Sequence, residues 1–220
     1  MKLAVATRPH FFIEEDKIIT RLFEEGLDYL LLRKSHPHPQ YIERLLNLIP
    51  SKYHKKIFVC NYPRFTQEYK FAGSLVNIDD ECTVCSSVIK GKIVSNSNNL
   101  QQLPELKQKY DIVYFGPLGR TFYQSAELNE YGKKVINKKV WAYGELDEYN
   151  LRKLVQYKFG GVILDKMLWD KFDACRSTDY SELINYFHKL QKIINKLWEK
   201  GTHKKRNPYL CKRKREIKTI

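Results

Sequence analysis

The segment Gly26–Lys34, which reads GLDYLLLRK, decides the fold of this chain. Tyr29–Leu32 within it is an unbroken apolar run, as expected for a strand that is buried on both faces of a parallel sheet. Apolar residues at helical spacing precede the segment, namely Ile18, Ile19, Leu22 and Phe23. We therefore predict a helix that ends near Gly26, then a turn, and then a buried strand.

The same kind of unit recurs along the whole chain. Short apolar runs, separated by helical patterns or loops, predict eight strands: Lys2–Ala6, Tyr29–Leu32, Ile57–Cys60, Ser74–Asn77, Ile93–Asn96, Ile112–Phe115, Val140–Tyr143 and Val162–Leu164. The longest helical stripe is the last one, from Leu183 to Leu197. Strands that alternate with helices indicate a parallel sheet.

Eight units of one strand and one helix each favour an α/β fold, namely a compact single (β/α)8 TIM barrel with a basic C-terminal tail. The structural alternative is a doubly wound open sheet, which usually carries a glycine-rich fingerprint after its first strand. Here that loop is Thr7–Phe12 and contains no glycine. We predict that residues 1–200 form the barrel and that residues 201–220 form a disordered tail.

Charge and cysteine content point to further functions only weakly. The 220 residues are 43% hydrophobic and 29% charged, with a net charge of +14. Eight Lys or Arg residues and one Glu give residues 201–220 a net charge of +7, so half of the excess lies in the tail. Such a tail can bind nucleic acid without specificity, but it is more often a solvated end.

Cys82 and Cys85 form one C-x-x-C pair without a second, which favours reduced thiols in a loop over a zinc site.

In a barrel, function is expected where the strands end at their carboxyl side. Arg33 and Lys34 follow the second predicted strand, and either side chain could hold an anionic oxygen. Asp79 and Asp80 follow the fourth strand, where a hard cation could bind carboxylates. Gly144 ends the seventh strand and would allow a phosphate to approach the backbone closely.

The order and spacing of five segments resemble the thiamine phosphate synthase family and its relative, the thiazole tautomerase TenI. These segments are Gly26–Lys34, Gly73–Asp80, Tyr110–Pro117, Trp141–Leu146 and Phe159–Leu164. The resemblance extends from Met1 to about Asp173. It implies the same barrel that the strand pattern predicts.

Members of that family join a hydroxymethylpyrimidine diphosphate to a thiazole phosphate and release diphosphate, with Mg²⁺ as the cofactor. The resemblance therefore implies a transferase of thiamine biosynthesis whose partners are small phosphorylated heterocycles, and it is compatible with a homodimer. The sequence has no apolar run long enough to span a membrane and no signal-peptide pattern at its start, so we expect a cytoplasmic protein.

Carried over residue by residue, the resemblance assigns the catalytic positions to Arg33 and Asn98. Arg33 matches a diphosphate-binding arginine, whereas Asn98 replaces the histidine that moves protons in the tautomerase, and an amide cannot do so near neutral pH. The metal positions are Asp80 and Asn61. The implied substrate-binding residues form a larger set: Arg33, Lys34, Asn61, Asn96, Asn98, Gly116, Arg120, Thr121, Gln124, Gly144 and Leu164.

Several charged or small residues of the family are replaced here. Ser35 replaces a lysine, and Cys60-Asn61 replaces an Asn-Asp pair that would supply a carboxylate to Mg²⁺. Gln124 replaces a phosphate-binding lysine, with Arg120 nearby, and Glu145 replaces the second glycine of a pair. If each electrostatic contact is worth about 3 kcal/mol, several losses together predict a slow or inactive synthase.

Three functions therefore remain open at this point. The first is thiamine phosphate synthesis with an eroded site. The second is a TenI-like or non-catalytic barrel that binds a thiazole-phosphate-type ligand. The third is a basic-tailed protein that binds nucleic acid and uses the barrel only as a scaffold.

Overall fold

Eight parallel strands form one closed barrel in the computed structural model, which describes residues 1–35, 38–60, 62, 65–76, 91–119, 128–154 and 156–203. The strands are β1 Lys2–Ala6, β2 Tyr29–Leu32, β3 Ile57–Cys60, β4 Gly73–Leu75, β5 Lys92–Ser97, β6 Ile112–Leu118, β7 Val140–Gly144 and β8 Gly161–Leu164. Each strand pairs with the next along the chain, and β8 pairs with β1, with Val5 opposite Leu164. The predicted (β/α)8 barrel is confirmed.

Helices connect most of the strands and cover the outside of the barrel. They are α1 Glu15–Glu24, α2 Pro39–Leu48, α3 Phe65–Glu68, α4 Leu103–Lys109, α5 Lys133–Val135, α6 Glu148–Leu154, α7 Lys166–Trp169 and α8 Ser181–His203. The start of α2 shows why such a segment is helical. Pro39 occupies the first turn, where its missing N–H costs nothing, and the ring of His38 accepts a hydrogen bond from the Gln40 N–H. No helix among the described residues is both long and apolar enough to cross a membrane.

Alternation along the strands divides the apolar residues into two cores. Successive side chains of a strand point to opposite faces. One face fills the barrel interior with Ala4, Ala6, Leu31, Phe58, Cys60, Leu75, Val94, Ile112, Tyr114, Trp141 and Ile163. The other face packs against the helices, where Leu30 and Leu32 meet Ile18 and Leu22 of α1 in the larger core. The run Tyr29–Leu32 is apolar because both of its faces are covered.

The structure changes several predicted boundaries. β6 was expected to end before Gly116-Pro117 but continues to Leu118, because the register shifts after Phe115 and Leu118 then pairs with Gly144. The helix expected at 128–136 is divided into a π-helical turn, Leu128–Gly132, and the short α5. The sequence pattern did not indicate α7 at all. The predicted loop at 78–90, with Cys82 and Cys85, lies outside the described residues, as does most of the predicted tail, whose boundary stays a prediction.

Two leucines of α2 provide a test of the core assignment. Leu46 is completely buried, whereas Leu48, two residues further along the same helix, is 55% exposed. We expect Leu46→Ala to lower the free energy of unfolding by about 2–5 kcal/mol, because a cavity remains in the core. Leu48→Ala should change it by less than about 0.5 kcal/mol. Urea unfolding of the two variants measures both values, and equal losses would contradict the packing described here.

Candidate active site

Polar and aromatic side chains meet where the strands end at their carboxyl side, and we call this end of the barrel the mouth. Leu31 of β2 faces the barrel interior, and every second residue of a strand points to the same face. Arg33, two residues further on, therefore also faces the interior. The same alternation turns Tyr114 of β6 and Tyr143 of β7 inward, and Asp165 follows the inward-facing Ile163 of β8. The mouth therefore combines side chains from strands that are far apart in sequence.

Arg33, Tyr143 and Asp165 form a closed triangle of hydrogen bonds in the mouth. A terminal nitrogen of Arg33 donates to Asp165 Oδ2 at 2.9 Å and to the Tyr143 hydroxyl at 3.1 Å. The Tyr143 hydroxyl donates in turn to the same Asp165 oxygen at 2.7 Å. The guanidinium carbon also lies 5.4 Å from the centre of the Tyr143 ring. Two residues, Tyr143 and Asp165, thus hold one end of the guanidinium in a defined place.

The backbone of Arg33 is fixed separately by Thr7, at the end of β1. The Thr7 hydroxyl donates to the Arg33 carbonyl at 2.8 Å and accepts from the Arg33 N–H at 3.0 Å. Thr7 is fully buried, and its own N–H donates to the Leu31 carbonyl at 3.0 Å. The closed barrel therefore positions both the main chain and the side chain of Arg33. Its side chain keeps 32% of its surface exposed, so a ligand can reach it.

The charge of Arg33 is stable, and the tyrosines around it stay neutral. Burial opposes the charge of Arg33, but the hydrogen bond to Tyr143 and the nearby Asp165 outweigh it and raise the pKa of the guanidinium. Burial raises the pKa of Tyr114 to about 12, although the positive charge of Arg33 acts against the shift. Burial also raises the pKa of Tyr143. At neutral pH these four side chains offer the mouth one cation, one carboxylate and two phenol hydroxyls.

Gly116 and Gly144 lie where β6 and β7 approach each other. Both have positive φ angles, 152° and 136°. A Cβ on Gly116 would come within 2.1 Å of the Tyr143 carbonyl oxygen, and one on Gly144 within 2.2 Å of the Leu118 nitrogen. The two glycines are therefore required by the contact between the strands. Their predicted role in binding a substrate phosphate stays a prediction.

The two asparagines predicted on β5 differ in environment. Asn96 lies opposite Tyr114 in the β5–β6 register and faces the mouth. Its Oδ1 atom is buried and accepts no hydrogen bond from any described residue. Asn98 is exposed, one residue beyond the end of the strand. Asn96 therefore has an acceptor that a ligand could satisfy.

Lys34 and Leu164 are buried away from the mouth. The ammonium of Lys34 donates to Glu15 Oε1 at 2.5 Å and to the His10 carbonyl at 3.0 Å, and its side chain has no exposed surface. It can replace a missing phosphate-binding lysine only by leaving this ion pair. Leu164 alternates with the inward-facing Ile163 and packs in the outer core, so its side chain does not reach the mouth.

The remaining predicted site residues lie outside the described residues: Asn61, Asp80, Arg120, Thr121 and Gln124. Both predicted Mg²⁺ ligands belong to this set. Among the described residues, no three His, Cys, Asp or Glu side chains are close enough together to hold a metal ion. Asp165, the carboxylate of the triangle, is a poor ligand for a cation because Arg33 already lies 2.9 Å away. The described part of the mouth therefore does not fit a Mg²⁺ site by itself.

Sequence reasoning named Arg33 but missed its partners as site residues. The strand pattern includes Tyr114 and Tyr143 only as members of apolar runs, and it gives Asp165 no role. A usable signal was present, because inward-facing positions can be counted by twos from the middle of each strand. That count turns Tyr143 and Asp165 toward the barrel interior, as it does Arg33.

Comparison with known proteins identifies relatives among solved structures. No protein-family model and no curated protein sequence matches the chain. A thiamine phosphate pyrophosphorylase from Bacteroides thetaiotaomicron is 40% identical, with a TM-score of 0.81 over 89% of this chain and 98% of that one. A thiamine phosphate pyrophosphorylase from Pyrococcus furiosus is 14% identical, with a TM-score of 0.70 over 89% and 96% of the two chains. The tryptophan synthase alpha chain from Legionella pneumophila, at 13% identity and a TM-score of 0.61 over 88% and 91%, shares the fold alone.

The fold and the mouth define a parallel (β/α)8 barrel with an arginine held where its strands end. The identity of 40% covers almost the whole Bacteroides protein. The chain therefore belongs to the thiamine phosphate pyrophosphorylase family, also called the thiamine phosphate synthase family. This confirms the resemblance seen in the sequence.

The buried pair of Glu15 and Lys34 predicts a specific pH dependence of stability. Burial raises the pKa of Glu15 from 4.5 to about 7, although Lys34 acts against the shift. The folded state therefore holds the Glu15 proton more tightly than the unfolded state does. The resulting stabilisation is complete below pH 4.5 and is lost as the pH rises to about 7.

We expect Glu15→Gln to remove this part of the pH dependence. Between the two pKa values, the free energy of unfolding of the unsubstituted protein should fall relative to that of the variant, by ~1–3 kcal/mol in total. Chemical unfolding at a series of pH values measures the difference. Glu24→Gln, on the exposed side of the same helix, is the matched control and should leave the slope unchanged. A constant difference between Glu15→Gln and the unsubstituted protein across this range would contradict the assignment.

Proposed function

We propose that this protein is a thiamine phosphate synthase, which joins a hydroxymethylpyrimidine diphosphate to a thiazole phosphate. The observation that carries the proposal is the identity of 40% with a thiamine phosphate pyrophosphorylase over 89% of this chain. The position of Arg33 supports it, because this residue matches the diphosphate-binding arginine of the family and lies in the mouth with part of its guanidinium exposed.

The proposed reaction breaks one bond and forms another at the same carbon. The C–O bond between the pyrimidine methylene and the diphosphate breaks, and its electron pair leaves on the diphosphate oxygen. The thiazole nitrogen then donates its lone pair to that carbon and forms the new C–N bond. Negative charge increases on the leaving group, so the protein contributes mainly by placing positive charge and hydrogen-bond donors next to it.

Arg33 is the described residue suited to this task. Its guanidinium carries several donors in a rigid plane, and the triangle with Tyr143 and Asp165 uses one terminal nitrogen. The other donors of the plane can meet a diphosphate without breaking the triangle. Asn96 adds a buried acceptor for a polar group of a heterocycle. Mg²⁺ would supply further positive charge at the diphosphate, and its predicted ligands Asp80 and Asn61 lie outside the described residues.

The first test of the proposal is turnover with both substrates and Mg²⁺. We expect thiamine phosphate and diphosphate to form, and Arg33→Ala to lower kcat/KM by about 10²–10³-fold, because the variant loses a charge that stabilises the leaving group. Arg33→Lys should retain part of the rate, since it keeps the charge without the planar fork. Chromatography of the products and a diphosphate assay measure both quantities.

Arg44→Ala is the matched control for this experiment. Arg44 is exposed on α2 and forms no ion pair with a described residue, so its loss should leave kcat/KM unchanged. Thermal unfolding would show that each variant is folded. The proposal fails if the unsubstituted protein releases no diphosphate, and the assignment of Arg33 fails if Arg33→Ala is as active as Arg44→Ala.

A second candidate is a barrel that binds a phosphorylated thiazole without turnover. The ion pair between Arg33 and Asp165 favours it, because the carboxylate neutralises part of the charge that a diphosphate would need. Under this alternative, thiazole phosphate raises the melting temperature while the full reaction mixture yields no product. Turnover by the unsubstituted protein would exclude it.

The balance of charge in the mouth can be tested with inorganic diphosphate alone. We expect Asp165→Asn to tighten diphosphate binding by about 3–10-fold, because it removes a negative charge beside Arg33. Tyr143→Phe keeps the carboxylate and removes only a hydroxyl, so it should not tighten binding. Titration calorimetry measures both. Equal effects of the two substitutions, or weaker binding to Asp165→Asn, would contradict the view that Asp165 limits the charge of the mouth.

A further inference from the structure

A pocket opens at the end of the barrel opposite to the mouth, where the strands begin, and we call it the base pocket. Its volume is about 590 Å³, and residues that line it include Lys2, Asp28, Tyr29, Lys92, Lys138 and Trp141. This volume lies within the ~300–1,000 Å³ that is usual for small-molecule sites. Tyr29, Lys92 and Trp141 all lie at the N-terminal ends of their strands, so the pocket is separated from the mouth by the barrel interior.

Aromatic rings form the inner wall of the base pocket. The rings of Tyr29 and Trp141 lie 5.6 Å apart, tilted by 45°. The indole ring of Trp141 can occupy this position because its neighbour Gly161 has no side chain. A Cβ on Gly161 would come within 2.7 Å of the indole ring. A planar ring that enters the pocket would therefore meet the ring of Tyr29 and the edge of the largely buried Trp141, beside Met1 and Ile112.

Two of the three lysines of the base pocket, Lys92 and Lys138, differ from other lysines near this end of the barrel. Lys107 and Lys139 use their ammonium groups on backbone carbonyls, at 2.5 Å to Val135 and at 2.8 Å to Lys107. Lys92 and Lys138 are exposed, and neither forms an ion pair or a side-chain hydrogen bond with a described residue. The Lys92 ammonium lies over the ring of Tyr29, 5.9 Å from its centre, so the positive charge is next to an aromatic side chain of the pocket.

Each of the two acidic residues of the pocket has a hydrogen-bond partner, and Asp28 also forms an ion pair. Asp28 accepts from the Lys2 ammonium at 2.7 Å and from the Leu3 N–H at 2.9 Å. Asp111 accepts from the Ile93 N–H at 2.9 Å. These contacts tie two turns to the strands beside them. A backbone N–H does not neutralise a carboxylate, so Asp111 keeps its negative charge, and the three lysines of the pocket face two carboxylates. Neither Lys92 nor Lys138 forms an ion pair with either of them among the described residues.

We propose that the base pocket binds a small planar aromatic anion, of the size and charge of a nucleoside monophosphate, at a site independent of the mouth. The ring would lie against Tyr29 and Trp141, and the anionic group would meet Lys92 and Lys138. Both parts of the ligand are required, because exposed lysines alone bind phosphate weakly and aromatic rings alone do not select an anion.

Adenosine 5′-monophosphate is a suitable probe for the full-length protein. We expect it to quench tryptophan fluorescence on binding, and we expect its affinity to fall as salt is added. Adenosine lacks the anion and ribose 5-phosphate lacks the ring, so each should bind at least about tenfold more weakly than the nucleotide. Failure of the nucleotide to bind, or equal binding of all three compounds, would overturn the proposal.

Substitutions locate the binding site. Lys92→Ala combined with Lys138→Ala should weaken nucleotide binding by at least about tenfold. Both residues are exposed, so the double variant should remain folded. The matched control is Lys52→Ala combined with Lys55→Ala, two exposed lysines outside the pocket, which should bind normally. Arg33→Ala should also bind normally. Loss of binding in Arg33→Ala, or normal binding in the Lys92 and Lys138 variant, would overturn the proposal whatever the outcome of the synthase assay.

Discussion

The pairing of β8 with β1 is the constraint on which the rest of the structure depends. It places Val5 opposite Leu164 and closes the sheet, so that every strand has hydrogen-bonded neighbours on both sides. Closure also fixes which side chains face inward. Arg33 is 110 residues from Tyr143 and 132 from Asp165 in the sequence, and only a closed ring of strands in register makes the three direct neighbours.

Two requirements compete in the mouth. A guanidinium that is partly removed from water needs a partner, and Asp165 and Tyr143 provide one. The same partner reduces the positive potential that an anionic substrate would meet. Lys34 shows the extreme case, because its ammonium is fully buried with Glu15 and has no surface left for a ligand. Arg33 differs because about a third of its side chain stays exposed, so structure and ligand can share one cation.

Much of the fold could be predicted from the sequence, because most of the short apolar runs, of three to five residues, are flanked by polar or glycine residues. Tyr29–Leu32 and Ile57–Cys60 match the observed strands at both ends. β6 did not, because Gly116-Pro117 is typical of a turn while the register shift that accommodates it depends on β7. The candidate site was harder to predict. Arg33 follows its strand directly, but the roles of Tyr143 and Asp165 depend on partners more than 20 residues away in sequence.

A narrow eight-stranded barrel leaves space for ligands only at its two ends, because side chains fill the interior. Both ends of this barrel place a cation over a tyrosine: Arg33 lies 5.4 Å from the Tyr143 ring at the mouth, and Lys92 lies 5.9 Å from the Tyr29 ring at the base. The difference lies in the carboxylates. At the mouth Asp165 is bound to Arg33 itself, whereas at the base Asp28 is bound to Lys2 and Asp111 to a backbone N–H, so neither carboxylate forms an ion pair with Lys92. Lys92 is therefore less neutralised than Arg33, although active sites of (β/α)8 barrels lie at the end that corresponds to the mouth.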